Sequence, residues 1–200
     1  MSKNLSRLFL ISSLCLVAFG LFVAYATTRP FSSSAIQPAA RAGDLVKEIA
    51  GHRDWSKVNP EPQLMPDRTA ALCAPVTALP IDESKNPHHN KYLTVYVNDL
   101  GRTAMFEQLN PKFPEGSVIV KEKLADKSSP TPELMTVMVK RGRGFNPDSG
   151  DWEYMIVDGT GTKVTAQGKL ENCQSCHSAR QSSGYVFRTY LPNAVLSKLK

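Results

Sequence analysis

Five consecutive residues near the end of the chain carry side chains suited to covalent and metal chemistry. They read Cys173-Gln174-Ser175-Cys176-His177, so two thiols lie three positions apart and an imidazole directly follows the second thiol. Each thiol can add to one vinyl group of a porphyrin, and the imidazole then lies beneath the iron as its proximal ligand. This spacing predicts one covalently bound c-type haem, with His177 as the axial ligand of its iron.

Two other kinds of site could use the same residues. A thioredoxin-like dithiol usually lies near a βαβ unit, and no such pattern precedes Cys173. A structural zinc site needs four ligands, commonly from a second pair at similar spacing. The remaining candidates do not repeat the pair: Cys15, Cys73, His52, His88 and His89. The pattern favours haem, which leaves Cys73 as a buried thiol or, alternatively, in an intermolecular disulfide.

The first 26 residues have the features of an export signal. Lys3 and Arg7 precede an uncharged apolar stretch at 8–26, and Ala24-Tyr25-Ala26 has the small-x-small form of a signal-peptidase site. The stretch is also close to the roughly 20 residues that cross a bilayer. We therefore expect a periplasmic protein whose leader is either cleaved after Ala26 or kept as an inner-membrane anchor.

The rest of the chain divides into a tether and one predicted domain. Residues 27–43 are rich in Ser, Pro and Ala and poor in bulky apolar side chains, which is typical of a flexible linker. Residues 44–200 are enough for one domain that buries a core and a porphyrin. The formal charge of +6 comes from residues of both signs, mixed along the chain. No basic run with interleaved aromatic residues suggests a nucleic-acid partner.

The hydrophobic pattern of the predicted domain changes along its length. A helix is predicted at 44–55, with Asp44 as its N-cap, because Leu45, Val46 and Ile49 share one face. Further helices are predicted at 102–109 and around the haem motif. Alternating β-branched and aromatic residues predict strands at 92–98, 117–124, 134–140, 152–158 and 163–167. The predicted fold class is α+β, mainly an antiparallel β-sheet with a few short helices and a C-terminal haem motif.

This pattern excludes two helical classes of haem protein. The small electron-transfer cytochromes carry the motif near the N-terminus and use a downstream methionine as second axial ligand, whereas no methionine follows His177. The cytochromes c′ carry it near the C-terminus, but their four amphipathic helices do not fit the strand pattern at 92–167. A β-rich domain that ends in a haem motif remains.

Six blocks, in this order, resemble the cytochrome P-460 family and its relatives, the cytochromes c′-beta. They are His-Arg-Asp-Trp at 52–55, the strand at 93–98, Phe-Pro-Glu-Gly-Ser-Val-Ile-Val-Lys-Glu at 113–122, Gly-Asp-Trp-Glu-Tyr at 150–154, the haem motif, and Tyr-Val-Phe-Arg at 185–188. The resemblance runs from about Asp44 to the C-terminus. It implies an antiparallel β fold, a homodimer, and a five-coordinate haem with an open distal face.

The resemblance also implies a role for Lys121. In the cytochromes P-460 a lysine at the matching position is bonded to the porphyrin edge, and the enzyme oxidises hydroxylamine. In the cytochromes c′-beta the bond is absent and the haem binds nitric oxide. Strand alternation places Lys121 with Ile119 and Lys123 on one face, where a salt-bridged lysine is the plain alternative. Glu122 is interpreted as a structural partner for a neighbouring cation.

Three functions follow from these features. The leading hypothesis is a periplasmic oxidoreductase of hydroxylamine or nitric oxide, which binds a small nitrogenous ligand and passes electrons to a redox partner protein. His89 or His88 is its candidate distal proton acceptor, unless both are exposed loop residues. The second hypothesis is nitric oxide binding without turnover. The third is an electron-transfer cytochrome with a sixth ligand drawn from Met65, Met105, Met135, Met138 and Met155.

Overall fold

A seven-stranded antiparallel sheet positions every other element of the protein. The computed structural model describes residues 38–72 and 89–199, which belong to one unit, Ile36–Lys200. The predicted leader, most of the predicted tether, Cys73 and His88 lie outside these ranges. Within them, no helix is both long and apolar enough to cross a membrane.

The strands confirm the predicted fold class. They are β1 (Ser56–Lys57), β2 (Gln63–Leu64), β3 (Tyr92–Val97), β4 (Val118–Leu124), β5 (Leu134–Lys140), β6 (Trp152–Asp158) and β7 (Val164–Gly168). From β3 to β7 the chain forms an antiparallel meander in sequence order, and β1 and β2 both pair with β3. The five predicted strands are present with nearly the predicted bounds. β1 and β2 were missed because each is too short to show alternation.

The helices are short, and two of them differ from the predicted bounds. They are α1 (Pro38–Ala50), α2 (Asp67–Leu72), α3 (Asp99–Phe106), α4 (Glu171–Ser178) and α5 (Asn193–Leu196). Single 3-10 turns occur at His52–Asp54, Pro147–Ser149, Gln181–Ser183 and Ser197–Leu199. α4 carries the haem motif, as predicted.

α1 begins at Pro38, so Asp44 lies inside the helix and the prediction that it is the N-cap is wrong. Residues 38–43, the last part of the predicted tether, therefore belong to the helix. Proline is favoured in the first helical turn, and the alanines that follow Pro38 have the highest helix propensity. The helix ends at Ala50, and a separate 3-10 turn follows it.

α3 begins at Asp99, ahead of the predicted 102–109, because Asn98 caps it. The Asn98 side-chain oxygen accepts the N–H of Gly101 at 3.2 Å and the N–H of Val118 at 3.0 Å. One side chain therefore satisfies a helix end and an N–H at the start of β4. This fixes α3 against the sheet.

Strand alternation gives the sheet two faces, each with its own core. The α1 face packs against Leu45 and Ile49 of α1 and contains Val118, Val120, Met135, Val137, Val139, Met155 and Val157. The α4 face packs against Cys173 of α4 and contains Leu93, Val95, Val97, Ile119, Met138, Trp152 and Tyr154. The haem motif therefore lies against a buried apolar surface of the sheet.

A buried ion pair on the α1 face joins β4 to the turn after α1. One carboxylate oxygen of Glu122 accepts hydrogen bonds from Nε2 of His52 at 2.9 Å and from Nε of Arg53 at 2.7 Å. Nδ1 of His52 donates to the carbonyl of Ile49 at 2.7 Å. Burial acts to raise the pKa of Glu122, but the bonds from His52 and Arg53 outweigh burial and lower it. Glu122 therefore pairs with neighbouring cations, as predicted.

We expect Glu122→Gln to lower the free energy of unfolding by about 3 kcal/mol at pH 7, because it leaves the two donors without their buried anion. The pKa of Glu122 is lower in the folded than in the unfolded state, so its contribution is complete above the unfolded pKa. It is lost as the pH falls through the folded pKa. Urea unfolding of both proteins from pH 7 to about pH 3 should show the difference shrinking.

Glu133→Gln is the matched control. Glu133 also pairs with two cations, Lys91 and Lys123, but its side chain is 36% exposed. Solvent screens such pairs, so we expect a loss of about 1 kcal/mol or less. Equal losses in the two variants would show that the buried ion pair at Glu122 stabilises the protein no more than the exposed one at Glu133.

Candidate haem-binding site

α4 turns its three reactive side chains to one side. Cys173 and Cys176 lie three positions apart, and His177 lies four beyond Cys173, so all three share a helix face. Both cysteines are partly buried, and Cys173 packs against the core of the α4 face. The helix geometry therefore presents two thiols and one imidazole to the same region.

A backbone carbonyl fixes the orientation of His177. Its Nδ1 lies 2.7 Å from the carbonyl oxygen of Tyr185. A carbonyl can only accept, so Nδ1 carries the proton and Nε2 keeps its electron pair for a ligand. Metal-binding histidines usually show this second hydrogen bond, because it selects the tautomer and the ring orientation. His177 therefore fits the role of proximal iron ligand.

The surroundings of His177 keep its ring neutral. Burial lowers its pKa to about 4, the hydrogen bond to Tyr185 opposes that change, and the positive charge of Lys121 adds to it. The neutral imidazole is the form that binds a metal. The positive charge of Lys121 therefore acts on His177.

Lys121 lies on the α4 face, as alternation predicted. Its neighbours across the sheet are Val95 on β3 and Thr136 on β5. The side chain is partly buried, and among the described residues its ammonium has neither a hydrogen bond nor an ion pair. The salt-bridged alternative is therefore not realised in this part of the chain. Lys123, by contrast, lies 3.4 Å from Glu133.

Two aromatic rings enclose the imidazole of His177. The ring centroids of Tyr154 and Phe187 lie 5.4 Å and 5.1 Å from its own. Tyr154 also shares a 2.8 Å hydrogen bond with the hydroxyl of Ser149. Burial raises the pKa of Tyr154 to about 12, so its phenol stays protonated. Tyr154 and Phe187 stand in two of the blocks that resemble the cytochrome P-460 family, but their contact with His177 could not be predicted, because aromatic residues in strand or loop patterns look like ordinary core residues.

His89 occupies a different position. Its Nδ1 lies 3.4 Å from the exposed carboxylate of Asp67. Among the described residues, the ring contacts and hydrogen bond of His177 do not include His89. The structure therefore brings Cys173, Cys176 and His177 together on one helix, and Lys121 lies on the sheet face that packs against this helix. The predicted role of His89 stays a hypothesis.

The two alternative uses of the motif find no support. α4 follows the last strand of an antiparallel meander, whereas a thioredoxin-like dithiol would belong to a βαβ unit. Within 38–72 and 89–199, no three His, Cys, Asp or Glu side chains converge to hold a metal ion. Porphyrin attachment remains the use that fits the geometry.

Tyr185, which supplies the carbonyl to His177, depends on two unusual backbone positions. Tyr185 itself has φ 64°, and Gly150, against which its ring packs, has φ 61°. A Cβ at Gly150 would overlap the Tyr185 ring. Trp152 holds the same segment to the sheet, since its indole N–H donates to the carbonyl of Gly184 at 2.8 Å.

We expect Gly150→Ala to destabilise the protein by about 2–3 kcal/mol, because the new methyl group adds a clash with Tyr185 to the strain of a positive φ. The displaced carbonyl should also loosen His177 and reduce the fraction of purified protein that carries haem. Gly144→Ala is the control. Gly144 has φ 90° but open space around its Cβ position, so it should lose about 1 kcal/mol with full haem content. Equal haem content in both variants would contradict this role of Tyr185.

The geometry of this site agrees with what the chain resembles. One family model, Cytochrome P460, matches residues 74–188, a range that includes Lys121, Cys173, Cys176 and His177. None of the curated proteins matches the chain. Members of the matched family bind a c-type haem, and the thiols, the imidazole and the hydrogen bond to Tyr185 fit that group. Because the match spans more than half of the chain, the protein belongs to the cytochrome P460 family.

Proposed function

We propose that the protein is an exported mono-haem cytochrome that oxidises hydroxylamine or processes nitric oxide at an open distal face. The proposal rests on the position of Lys121 and on its lack of an ion pair among the described residues. Lys121 lies on the α4 face, and its positive charge acts on His177. A lysine at the matching position is the one that the cytochromes P-460 bond to the porphyrin, and in those proteins the bond accompanies hydroxylamine oxidation.

The described side chains have separate roles around the cofactor. When bound, haem supplies an iron that can take a small nitrogenous ligand and pass electrons onward. His177 would hold that iron through Nε2, because its Nδ1 donates a hydrogen bond to the carbonyl of Tyr185. Tyr154 and Phe187 hold the imidazole plane and keep water from it. A free Lys121 ammonium would favour the reduced state of the haem, whereas a Lys121 bonded to the porphyrin edge, as proposed here, no longer carries that charge.

The proposal also includes export of the protein, a redox partner and a homodimer. Export through residues 8–26 would place the haem in the periplasm, with the leader cleaved after Ala26 or kept as an anchor. Hydroxylamine oxidation releases electrons and protons, so a redox partner protein must receive the electrons. The homodimer implied by the family resemblance is part of the same proposal.

Nitric oxide binding without turnover is the second candidate. Hydroxylamine oxidation needs a proton acceptor close to the substrate. His89, the predicted proton acceptor, lies 3.4 Å from the exposed carboxylate of Asp67, and binding of nitric oxide without turnover needs no such acceptor.

An electron-transfer cytochrome would need a methionine as sixth ligand. Met135 and Met155 belong to the core of the α1 face, so the sheet separates them from α4. Met65, Met105 and Met138 remain on the α4 face, buried in its core. The fold therefore reduces the candidates for a sixth ligand from five to three.

The test is the absorption spectrum of the ferrous protein together with mass analysis of its haem peptides. We expect a red-shifted Soret band and a haem peptide that includes Lys121. Lys121→Arg keeps the charge but cannot form the bond, so it should show an ordinary high-spin c-type spectrum and lose hydroxylamine oxidation by about tenfold or more. Lys123→Arg, on the same strand and face, should behave as the wild type.

Other results would select the other candidates. A wild-type protein with only Cys173 and Cys176 attached, which binds nitric oxide but does not turn over hydroxylamine, would overturn the enzyme proposal in favour of the binding protein. A six-coordinate spectrum that ignores nitric oxide would contradict both and support electron transfer.

We expect His89→Ala to keep hydroxylamine oxidation within about twofold of wild type, because His89 lies beside the exposed carboxylate of Asp67. Removing a true general base would lower the rate by about a hundredfold or more. Steady-state rates with an artificial electron acceptor measure this. Asp67→Asn, which removes the exposed partner of His89, is the control and should also be neutral. A large loss in His89→Ala alone would make His89 the distal proton acceptor.

A further inference from the structure

Arg188 is a buried arginine with an unused hydrogen-bond donor. Only 9% of its surface is exposed. Its Nε donates to the carbonyl of Met105 at 3.1 Å, and its Nη1 donates to the carbonyl of Leu109 at 3.4 Å. Its Nη2 is buried and has no hydrogen-bond partner within the described ranges.

This environment compensates the charge of Arg188 only in part. The carbonyl oxygens at the end of α3 carry partial negative charge, and no carboxylate of the described residues pairs with the guanidinium. Arginine does not lose its proton in proteins, and buried charges are normally paired. Burial lowers the pKa of Arg188, which reflects the same missing partner. The position therefore calls for an anion at Nη2.

Arg188 belongs to the region where α4 holds the haem. The preceding residue, Phe187, contacts the imidazole of His177. Met105, whose carbonyl Arg188 binds, lies in the same buried cluster as Tyr154, and Cys173 packs against that cluster. A haem attached at Cys173 and Cys176 through its vinyl groups would carry two propionate carboxylates on the other edge of the porphyrin.

We propose that Arg188 binds a propionate of the attached haem through Nη2, while its Nε and Nη1 hold the chain at the end of α3. A guanidinium and a carboxylate form strong, charge-assisted hydrogen bonds. Such a bond satisfies the orphaned donor and neutralises both buried charges. It also makes Arg188 a positioning residue that couples the orientation of the porphyrin to α3.

Two spectroscopic readouts on the haem-loaded protein test the proposal. In Arg188→Gln the propionate loses its cation, so we expect a lower reduction potential and a shifted propionate bending band in the resonance Raman spectrum. Arg188→Lys keeps a charged donor and should restore most of both signals. Both variants lose the carbonyl contacts, so both should melt earlier than wild type. Arg180→Gln is the control, because exposed Arg180 also lies beside Phe187; it should leave the propionate band unchanged and lower the potential less than Arg188→Gln.

A purely structural role predicts a different result. If Arg188→Gln folds and loads haem with the wild-type potential and Raman band, the proposal is wrong. If that variant does not accumulate, Arg188→Lys decides on its own: guanidinium and ammonium groups bond a carboxylate with different geometry, so a bonded propionate should move its band slightly from the wild-type position and an unbonded one should not.

A protein carboxylate is the competing partner. Asp82 and Glu83 lie in the chain outside the described ranges. The double variant Asp82→Asn, Glu83→Gln should leave the propionate band and the potential as in wild type. Changes equal to those of Arg188→Gln would assign the anion to the protein and overturn the proposal.

Discussion

The hydrogen bond from His177 to the carbonyl of Tyr185 is the interaction on which the haem site depends. It leaves Nε2 as the only ring atom that can bind iron. The bond exists because Tyr185 adopts a left-handed backbone conformation and its ring packs over Gly150. Trp152 then ties the segment to β6. Tyr185 lies in a loop, so the position of its carbonyl depends on these contacts with the sheet.

Adjacent residues of β4 show how the sheet divides structure from function. Glu122 faces α1, where His52 and Arg53 neutralise it. Lys121 faces α4 and has no ion pair among the described residues. The α4 side also holds Arg188, which pairs with no carboxylate of the described residues. Two cations without a counter-ion in this part of the chain suit a cofactor that carries carboxylates of its own.

Periodicity and spacing made much of this architecture predictable. The strand alternation at 117–124 correctly placed Lys121 on the face opposite Val118 and Val120. The haem motif lies on a helix, as predicted, and its spacing puts three reactive side chains on one helix face. The start of α1 was missed, because a single acidic residue, Asp44, resembled a helix cap while the alanine-rich run before it extended the helix.

The sequence by itself determined the cofactor and the faces of the strands, since both follow from distances of a few residues along a regular backbone. Only the tertiary structure decided which distant side chains contact one another. Glu122 meets His52 from 70 positions away, and Arg188 meets Met105 from 83 positions away. Strand register and loop packing bring such groups together, and no local pattern in the sequence predicts that they are neighbours in space. The same packing placed His89 beside Asp67, which spacing along the chain could not show.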